Sequence, residues 1–143
     1  MACITISTEQ ELQQAFAIRR KVFVEEQGVP LADEFDEFDT LSSNCQHVLV
    51  IYDNQVVGTG RIRHVQNVGK LERICILIDY RKYGLGKTII RALEKLAYHM
   101  PVDTVILHGQ TQAEGFYHKL GYMTASEPFL EDGIAHVTMT KTL

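Results

Sequence analysis

The sequence predicts an α/β domain built on one mixed β-sheet with helices on both faces. Short apolar runs of strand length alternate with longer segments whose apolar residues recur at helical spacing. Turns rich in glycine, proline and asparagine separate these segments, and the predicted order is β-α-β-β-β-α-β-α-β-β. Such an order is typical of a sheet covered by helices. Since 143 residues suffice for one domain with a sizeable core, we expect a single domain over 1–143.

The first strand and the first helix are predicted between Cys3 and Phe23. Residues 3–7 alternate weakly, and Thr8 with Glu11 forms the capping-box pattern that begins a helix. One face of this helix carries Leu12, Ala15, Phe16, Arg19, Val22 and Phe23. The arginine on this face has two interpretations. Either its stem covers apolar surface with the charge in water, or it meets a partner carboxylate or a ligand near a substrate cleft.

An acidic segment over residues 24–40 follows, and Gly28 and Pro30 end the first helix within it. A run of acidic residues is most often solvated surface. The alternating Phe35 and Phe38 favour an anchored segment instead. Acidic groups that line a cleft would also attract a cationic amine.

The remaining elements follow from apolar runs and turns. They are strands over 46–52 and 55–65, a central strand with the apolar run 74–78, a helix from Leu85 that stops after Met100, a strand over 103–108, a short helix over 112–120, and strands over 122–125 and 134–140. The strand at 103–108 is predicted to be a parallel partner of the central strand.

A basic, glycine-rich turn over 81–87 joins the central strand to the long helix. The free N–H groups of a first helical turn bind phosphate, and glycines let the phosphate approach the backbone. A P-loop would need glycine where Arg81 stands, and a dinucleotide fingerprint would need glycine in place of Ile89. The pattern R-x-x-G-x-G, in contrast, is matched in full by Arg81, Gly84 and Gly86.

This turn, between a strand and a helix, resembles the pyrophosphate loop of the GNAT superfamily of acyl-CoA-dependent N-acetyltransferases. The run F-Y-H-K-L-G-Y at 116–122 is similar to the end of that family's fourth helix. The run R-R-K-V-F-V-E-E-Q-G-V-P at 19–30 and G-I-A-H-V-T-M at 133–139 resemble the ElaA-like and YjcF-like branch, with Ala135 where that branch has proline. The resemblance implies the GNAT fold, in which the central strand splays from its neighbour and acyl-CoA enters the opening.

The resemblance also implies roles for residues around this opening. The backbone of Ile74, Cys75 and Ile76 would pair with the pantetheine arm of acetyl-CoA. The pyrophosphate would contact Arg81, Lys82, Tyr83, Gly84, Leu85, Gly86 and Lys87, where the tyrosine would either crowd the phosphate or stack on the ligand. Substrate would contact Arg19, Glu26 and Gln27.

The implied reaction needs a neutral amine to attack a thioester, whereas an amine with a pKa of about 10 is mostly protonated at neutral pH. Tyr117 takes the position of the family's tyrosine and would protonate the departing thiolate. Glu72 is the first candidate base, and His136 is the second. A backbone N–H of Ile74 or Ile76 would stabilise the oxyanion, and transfer would be direct.

Composition argues against several other classes. A net charge of -4 is unlike that of a general nucleic-acid binder, and no apolar run approaches the roughly 20 residues that span a bilayer. We therefore expect no nucleic-acid or membrane partner. Cys3, Cys45 and Cys75 lack metal-type spacing, as do the six histidines, so no metal is expected. Reduced thiols, together with an N-terminus unlike a signal peptide, predict a cytoplasmic location.

Two functions stay open at this point. The first is an N-acetyltransferase that moves an acetyl group from acetyl-CoA to a primary amine of a small molecule or peptide. The second is a non-catalytic acyl-CoA-binding or regulatory module of the same fold. Tyr117 favours the first, whereas the weakly defined base keeps the second open. The resemblance allows a monomer or a homodimer.

Overall fold

The computed structural model describes residues 1–42 and 44–143, and within them eight strands form one mixed sheet. The strands are β1 Ala2–Thr5, β2 Cys45–Tyr52, β3 Gln55–Val65, β4 Val68–Ile76, β5 Thr104–Gln110, β6 Met123–Thr124, β7 Phe129–Glu131 and β8 Ile134–Thr142. The α-helices are α1 Glu9–Arg19, α2 Leu31–Glu34, α3 Leu85–Ala97 and α4 Glu114–Lys119. A π-helical turn over Arg20–Glu26 continues α1, and 3-10 turns span Ile78–Tyr80 and Thr111–Ala113.

The predicted order of elements is confirmed, and the structure adds α2, β7 and the π-helical turn. Strand β7 pairs with β8 through a tight turn in which Asp132 and Gly133 both have positive φ. Asp-Gly is a strong sequence signal for such a hairpin, so β7 was detectable from the sequence. Helix α2 is a single turn that begins after Pro30.

Strands β4 and β5 lie in the middle of the sheet, and their pairing stops halfway. They are parallel, as predicted, and pair from Val68 with Thr104 to Leu71 with Leu107. Beyond that point β4 continues to Ile76 and β5 continues to Gln110 without pairing to each other. The predicted splay is therefore confirmed.

A β-bulge in β4 lies just beyond the last pair. Two residues, Arg73 and Ile74, stand opposite the single Gly60 of β3, and Arg73 has a φ of 57°. A bulge bends its strand and increases the local twist. The bend therefore accompanies the divergence of β4 from β5.

Helices cover both faces of the sheet. Helix α3 packs on one face, the α3 face, and buries Leu85, Ile89, Ile90, Leu93 and Ala97 at the predicted spacing. Helix α1 and the π-helical turn pack on the opposite face, the α1 face, with Leu12, Ala15, Ile18 and Val22 buried. Each buried aliphatic side chain contributes roughly 1.5–3 kcal/mol, so the two layers hold the sheet between them.

Buried arginines anchor three carboxylates of the acidic segment, whereas its other four acidic residues are exposed. Arg19 is 1% exposed and bonds Glu34 and Asp39, and Arg61, also 1% exposed, bonds Asp36 and Asp39. The guanidinium of Arg19 donates to the carboxylates of Glu34 and Asp39 and to the carbonyl oxygen of Glu34. Of its two interpretations the partner-carboxylate one is confirmed, and this geometry argues against a role of Arg19 in substrate binding.

Candidate active site

The divergence of β4 and β5 opens a cleft of about 670 Å³. Its lining comes from the ends of both strands, the π-helical turn, the starts of α3 and α4, and the β7–β8 hairpin. Along β5, Leu107 and Gly109 are buried towards the α3 face, and the intervening His108 and Gln110 alternate to the other side. The cleft therefore presents different side chains on the two faces of the sheet.

The loop before α3 forms the mouth of the cleft on the α3 face. Gly84, with a φ of 70°, precedes the first helical residue, and no side chain caps the N–H groups of the first turn. Gly86 lines the cleft, and a Cβ placed there would lie 3.3 Å from Cζ of Phe116. Free N–H groups and bare glycine backbone suit an anionic group such as a phosphate.

Arg81 is bound to the protein itself. Its guanidinium donates to both carboxylate oxygens of Glu26 at 2.7 and 2.6 Å, and its Nε donates to the carbonyl oxygen of Ile76 at 2.9 Å. The hydrogen bonds to Glu26 raise the pKa of Arg81 and lower that of Glu26. This geometry favours a structural role for Arg81, which ties the end of β4 to the π-helical turn, over direct contact with a pyrophosphate.

The other basic and aromatic residues of the loop lie outside the cleft lining. Lys82 and Lys87 are both exposed, and neither lines the cleft. Tyr83 is 53% exposed and stacks on Tyr52 with a distance of 4.7 Å between ring centroids. Tyr83 therefore does not line the interior of the cleft, and the two alternatives for its role towards a ligand stay predictions.

The cleft edge of β4 carries Ile74, Cys75 and Ile76, as the resemblance implies. Since β4 and β5 are unpaired here, polar groups on this edge are available to a ligand, except for the carbonyl of Ile76 that Arg81 occupies. Burial raises the pKa of the Cys75 thiol well above its usual range. Cys75 is therefore unsuited to act as a nucleophile.

Tyr117 of α4 lines the cleft from the α3 face. A Cβ placed at Gly109 would lie 3.0 Å from its ring, so the absence of a side chain on β5 makes room for it. Burial raises the pKa of Tyr117 to about 12. The phenol therefore keeps its proton throughout the neutral pH range and can donate it.

Glu72, the first candidate base, is held by three cations. Arg61 and Arg63 donate to its carboxylate at 2.8–3.2 Å, and Lys70 lies 3.3 Å away. Burial alone would raise the pKa of Glu72, but the hydrogen bond from Arg63 and the charges of Arg61, Arg63 and Lys70 lower it to about 2. Such a carboxylate is a weak proton acceptor, so the structure argues against Glu72 as the base.

The α1-face mouth of the cleft contains a polar cluster that the sequence predicted only in part. His108 Nδ1 lies 2.9 Å from one oxygen of Glu131, and His136 Nε2 lies 3.7 Å from the other. Gln27, predicted to contact substrate, lines the cleft and accepts a hydrogen bond of 3.2 Å from Gln110. His108 and Glu131 were missed, although His108 ends an apolar strand and Glu131 precedes the Asp-Gly turn.

Two further properties concern ions and membranes. Within residues 1–42 and 44–143, no group of three or more histidine, cysteine, aspartate or glutamate side chains is arranged to hold a metal ion. In the same part of the chain, none of the helices combines the length and apolar character of a membrane span.

Comparisons with known proteins agree with this geometry. The model of the acetyltransferase (GNAT) domain matches residues 6–143. A Bacillus subtilis protein provisionally named as an acetyltransferase is 61% identical over 95% of this chain and 92% of its own. The uncharacterised N-acetyltransferase YjcF of Bacillus subtilis is 43% identical over 99% of each chain.

Solved structures have the same architecture. Escherichia coli ElaA superposes with a TM-score of 0.86 at 25% identity, over 99% of each chain. At 15% identity, where only the fold is shared, an N-acetyltransferase of Thermoplasma acidophilum solved in complex with coenzyme A superposes with a TM-score of 0.75 over the whole of both chains. With the family model matching nearly the whole sequence and ElaA and YjcF among its relatives, this chain belongs to the GNAT acetyltransferase family.

Proposed function

We propose that this protein transfers an acetyl group from acetyl-CoA directly to a primary amine of a small molecule or peptide. The observation that carries the proposal is a cleft that opens between β4 and β5 and is lined from both faces of the sheet. A thioester donor and an amine acceptor could therefore meet from opposite sides. The fold neighbour from Thermoplasma acidophilum, which was solved in complex with coenzyme A, supports a CoA thioester as the donor.

The α3 face is the proposed donor side. The free N–H groups of the first turn of α3 and the bare backbone at Gly84 and Gly86 would bind the pyrophosphate, with Lys82 and Lys87 adding positive charge nearby. The unpaired edge of β4 over 74–76 would hydrogen-bond the pantetheine arm as an added strand would.

Each chemical task then has a candidate group on this chain. Tyr117 would protonate the departing thiolate, because its phenol is neutral and lines the cleft. A backbone N–H of Ile74 or Ile76, at or just after the bulge, would stabilise the oxyanion. The inert thiol of Cys75 supports direct transfer over an acyl-enzyme.

The state of the three cysteines is relevant to the cellular compartment in which the protein works. Cys3, Cys45 and Cys75 are free thiols. Thiols of this kind are typical of a reducing environment, which supports the proposed cytoplasmic location.

Binding of acetyl-CoA, measured by calorimetry, is the first test. We expect the wild type to bind and Gly86→Glu to lose binding, because the new side chain would bring a negative charge to the proposed phosphate site and its Cβ alone would lie 3.3 Å from Phe116 Cζ. Gly115→Glu is the matched control, since a Cβ at Gly115 meets nothing within 4 Å. Absence of binding by the wild type would contradict the proposal.

Turnover is tested with Tyr117→Phe, which removes only the hydroxyl. We expect acetyl-CoA affinity to be retained and kcat to fall on the order of 10²-fold, as for the loss of a general acid. Tyr98→Phe, at an exposed position after α3, is the control. If Tyr117→Phe had the same kcat as wild type, Tyr117 would not be the general acid. If the wild type bound acetyl-CoA but acetylated no amine, the non-catalytic module would be favoured instead.

A further inference from the structure

His108 lies where the two faces of the cleft meet. It follows Leu107, the last β5 residue paired with β4, and it points to the opposite face of the sheet from its neighbour Gly109, over which the ring of Tyr117 packs. The residues beside it, Gln110 and His136, are cross-strand partners on the same face. A group that acts on an amine arriving from the α1 face would therefore stand at His108, while Tyr117 serves the donor side.

The hydrogen bond to Glu131 determines which ring nitrogen of His108 is free. A carboxylate only accepts, so the contact of 2.9 Å requires the proton on Nδ1 and leaves the lone pair on Nε2. Among the residues that the structure describes, Nε2 of His108 has no hydrogen-bond partner and is not sealed from solvent. It is thus available to an acceptor in the cleft.

The other candidate bases are less well placed. Glu72 is held ionised by three cations. His136 donates from Nδ1 to the carbonyl of Ile134 at 2.7 Å, and its Nε2 lies 3.7 Å from Glu131, so this nitrogen faces the carboxylate. His136 is also only 8% exposed.

The charged groups around His108 come from several neighbouring elements. Glu131 on β7 contacts it directly, and His136 on β8 lies on the far side of that carboxylate. Of the other charged groups that line the cleft, Glu34 is paired with Arg73 at 3.3 Å and with Arg19 at 3.0 Å, and Asp132 follows Glu131 in the turn between β7 and β8. Phe129 packs edge-on against His108 with a centroid distance of 5.1 Å and limits the movement of the ring.

We propose that His108 is the general base of the transfer, that Glu131 positions it and stabilises its protonated form, and that His136 supports Glu131. The inference rests on the proposed acetyl transfer. Nε2 of His108 takes one proton from the ammonium group, and the neutral nitrogen attacks the thioester carbonyl carbon. The C–N bond forms and the C–S bond breaks as Tyr117 protonates the sulfur. The second proton from the nitrogen returns to the Tyr117 oxygen through water, and His108 releases its proton to solvent.

The test compares His108→Asn with wild type on two amines, benzylamine and trifluoroethylamine, with acetyl-CoA as donor. Benzylamine is largely protonated at neutral pH and needs a base, whereas trifluoroethylamine is largely neutral. We expect His108→Asn to lower kcat/KM on the order of 10²-fold with benzylamine and clearly less with trifluoroethylamine. The acid limb of the pH profile should change while acetyl-CoA affinity does not, because His108 lies away from the phosphate loop.

Two further variants separate positioning from structure. Glu131→Gln keeps an acceptor for Nδ1 but removes the charge, so we expect kcat/KM with benzylamine to fall about tenfold and its pH profile to change. His99→Asn, at an exposed position beyond α3, is the matched control and should behave as wild type. Addition of imidazole should partly restore His108→Gly.

The outcomes distinguish this inference from the function on which it rests. If wild type acetylates these amines and His108→Asn retains the kcat/KM and pH profile of wild type, the general base is another group. The inference then fails, whereas the proposed acetyl transfer is supported. An equal loss with both amines and no rescue by imidazole would identify a structural role and overturn the inference. If wild type binds acetyl-CoA but acetylates neither amine, both the inference and the catalytic proposal fail.

Discussion

At the scale of single residues, Gly84 determines the geometry of the loop before α3. Its φ of 70° lies in the left-handed region, and it turns the chain from the loop into α3. A side chain in this conformation brings Cβ close to the following carbonyl, which costs roughly 1–2 kcal/mol. The direction of the first N–H groups of α3 therefore depends on this glycine.

We predict that Gly84→Ala lowers the free energy of unfolding by about 1 kcal/mol and weakens acetyl-CoA binding, because the loop must distort. Gly115→Ala is the comparison, since Gly115 lies in α4 without positive φ and its Cβ would meet no atom within 4 Å. It should be neutral or slightly stabilising. Urea unfolding and calorimetry measure both effects, and equal behaviour of the two variants would contradict the role of the left-handed conformation.

At the scale of elements, the position of α3 depends on the close approach of the helix to β3. A Cβ at Gly60 would lie 2.8 Å from Ile89 Cγ2 and 3.2 Å from Leu93 Cδ1. The same glycine stands opposite the bulge of β4. Helix packing and strand divergence therefore meet at one residue, which links the core of the protein to the shape of the cleft.

We expect Gly60→Val to lower the free energy of unfolding by about 1–3 kcal/mol, because the added methyl groups overfill a packed interface. The displacement of α3 should also weaken acetyl-CoA binding, since the loop moves with the helix. Gln55→Val, at an exposed position on the same strand, controls for the new valine. If Gly60→Val had the same free energy of unfolding as wild type, α3 could move away from β3 without destabilising the protein, which would contradict the prediction.

At the scale of the whole molecule, one network of charges joins the acidic segment to the sheet. Arg61 on β3 contacts Asp36, Asp39 and Glu72, and Arg19 of α1 contacts Asp39 and Glu34. Removal of one member of such a buried network leaves an uncompensated charge and costs about 3–5 kcal/mol. The network thus fixes the segment after Pro30 against the α1 face beside the cleft.

Acid is predicted to destabilise the protein through this network. Although burial would raise them, hydrogen bonds from Arg61 to Asp36 and from Arg63 to Glu72, with nearby arginine charges, lower the pKa values of Asp36 and Glu72 to about 2. In the unfolded chain these groups titrate at about 3.9 and 4.3. Their folded-state pKa values are depressed, so their contribution is present above about pH 5 and is lost as the pH falls towards 2.

We expect a loss on the order of 3 kcal/mol over this range, measured as the free energy of unfolding in urea at several pH values. The pKa of Glu34 is raised by burial despite Arg19 and opposes part of the loss. Glu72→Gln should be less stable at neutral pH and less sensitive to acid. A stability that is constant down to about pH 3 would contradict the prediction.

The fold and the glycine turn before α3 were largely predictable from the sequence because their signals are local. The helical spacing of Leu85, Ile89 and Leu93 and the turn at 81–87 each depend on neighbouring residues alone. The family motif further implied the splay between β4 and β5, which the register of the two strands confirms. The Asp-Gly turn was an equally local signal for β7.

What each charged side chain contacts could not be predicted in this way. Arg19 and Arg81 match the family motifs by position, yet their partners are carboxylates that lie 15 or more residues away in the chain. The sequence made Glu72 the first candidate base, and only the packing of Arg61, Arg63 and Lys70 around it argues against that role.

The sequence by itself therefore determined the order of the elements, the apolar faces of the helices and the loop that suits a phosphate. The tertiary structure alone decided which charged side chains form ion pairs with each other. It also brought His108, Glu131 and His136 together from three strands. The physical reason is the distance along the chain over which each effect acts. Periodicity, caps and turns act over a few residues, whereas the state of a charge depends on burial and on partners that only the folded chain brings within a few ångströms.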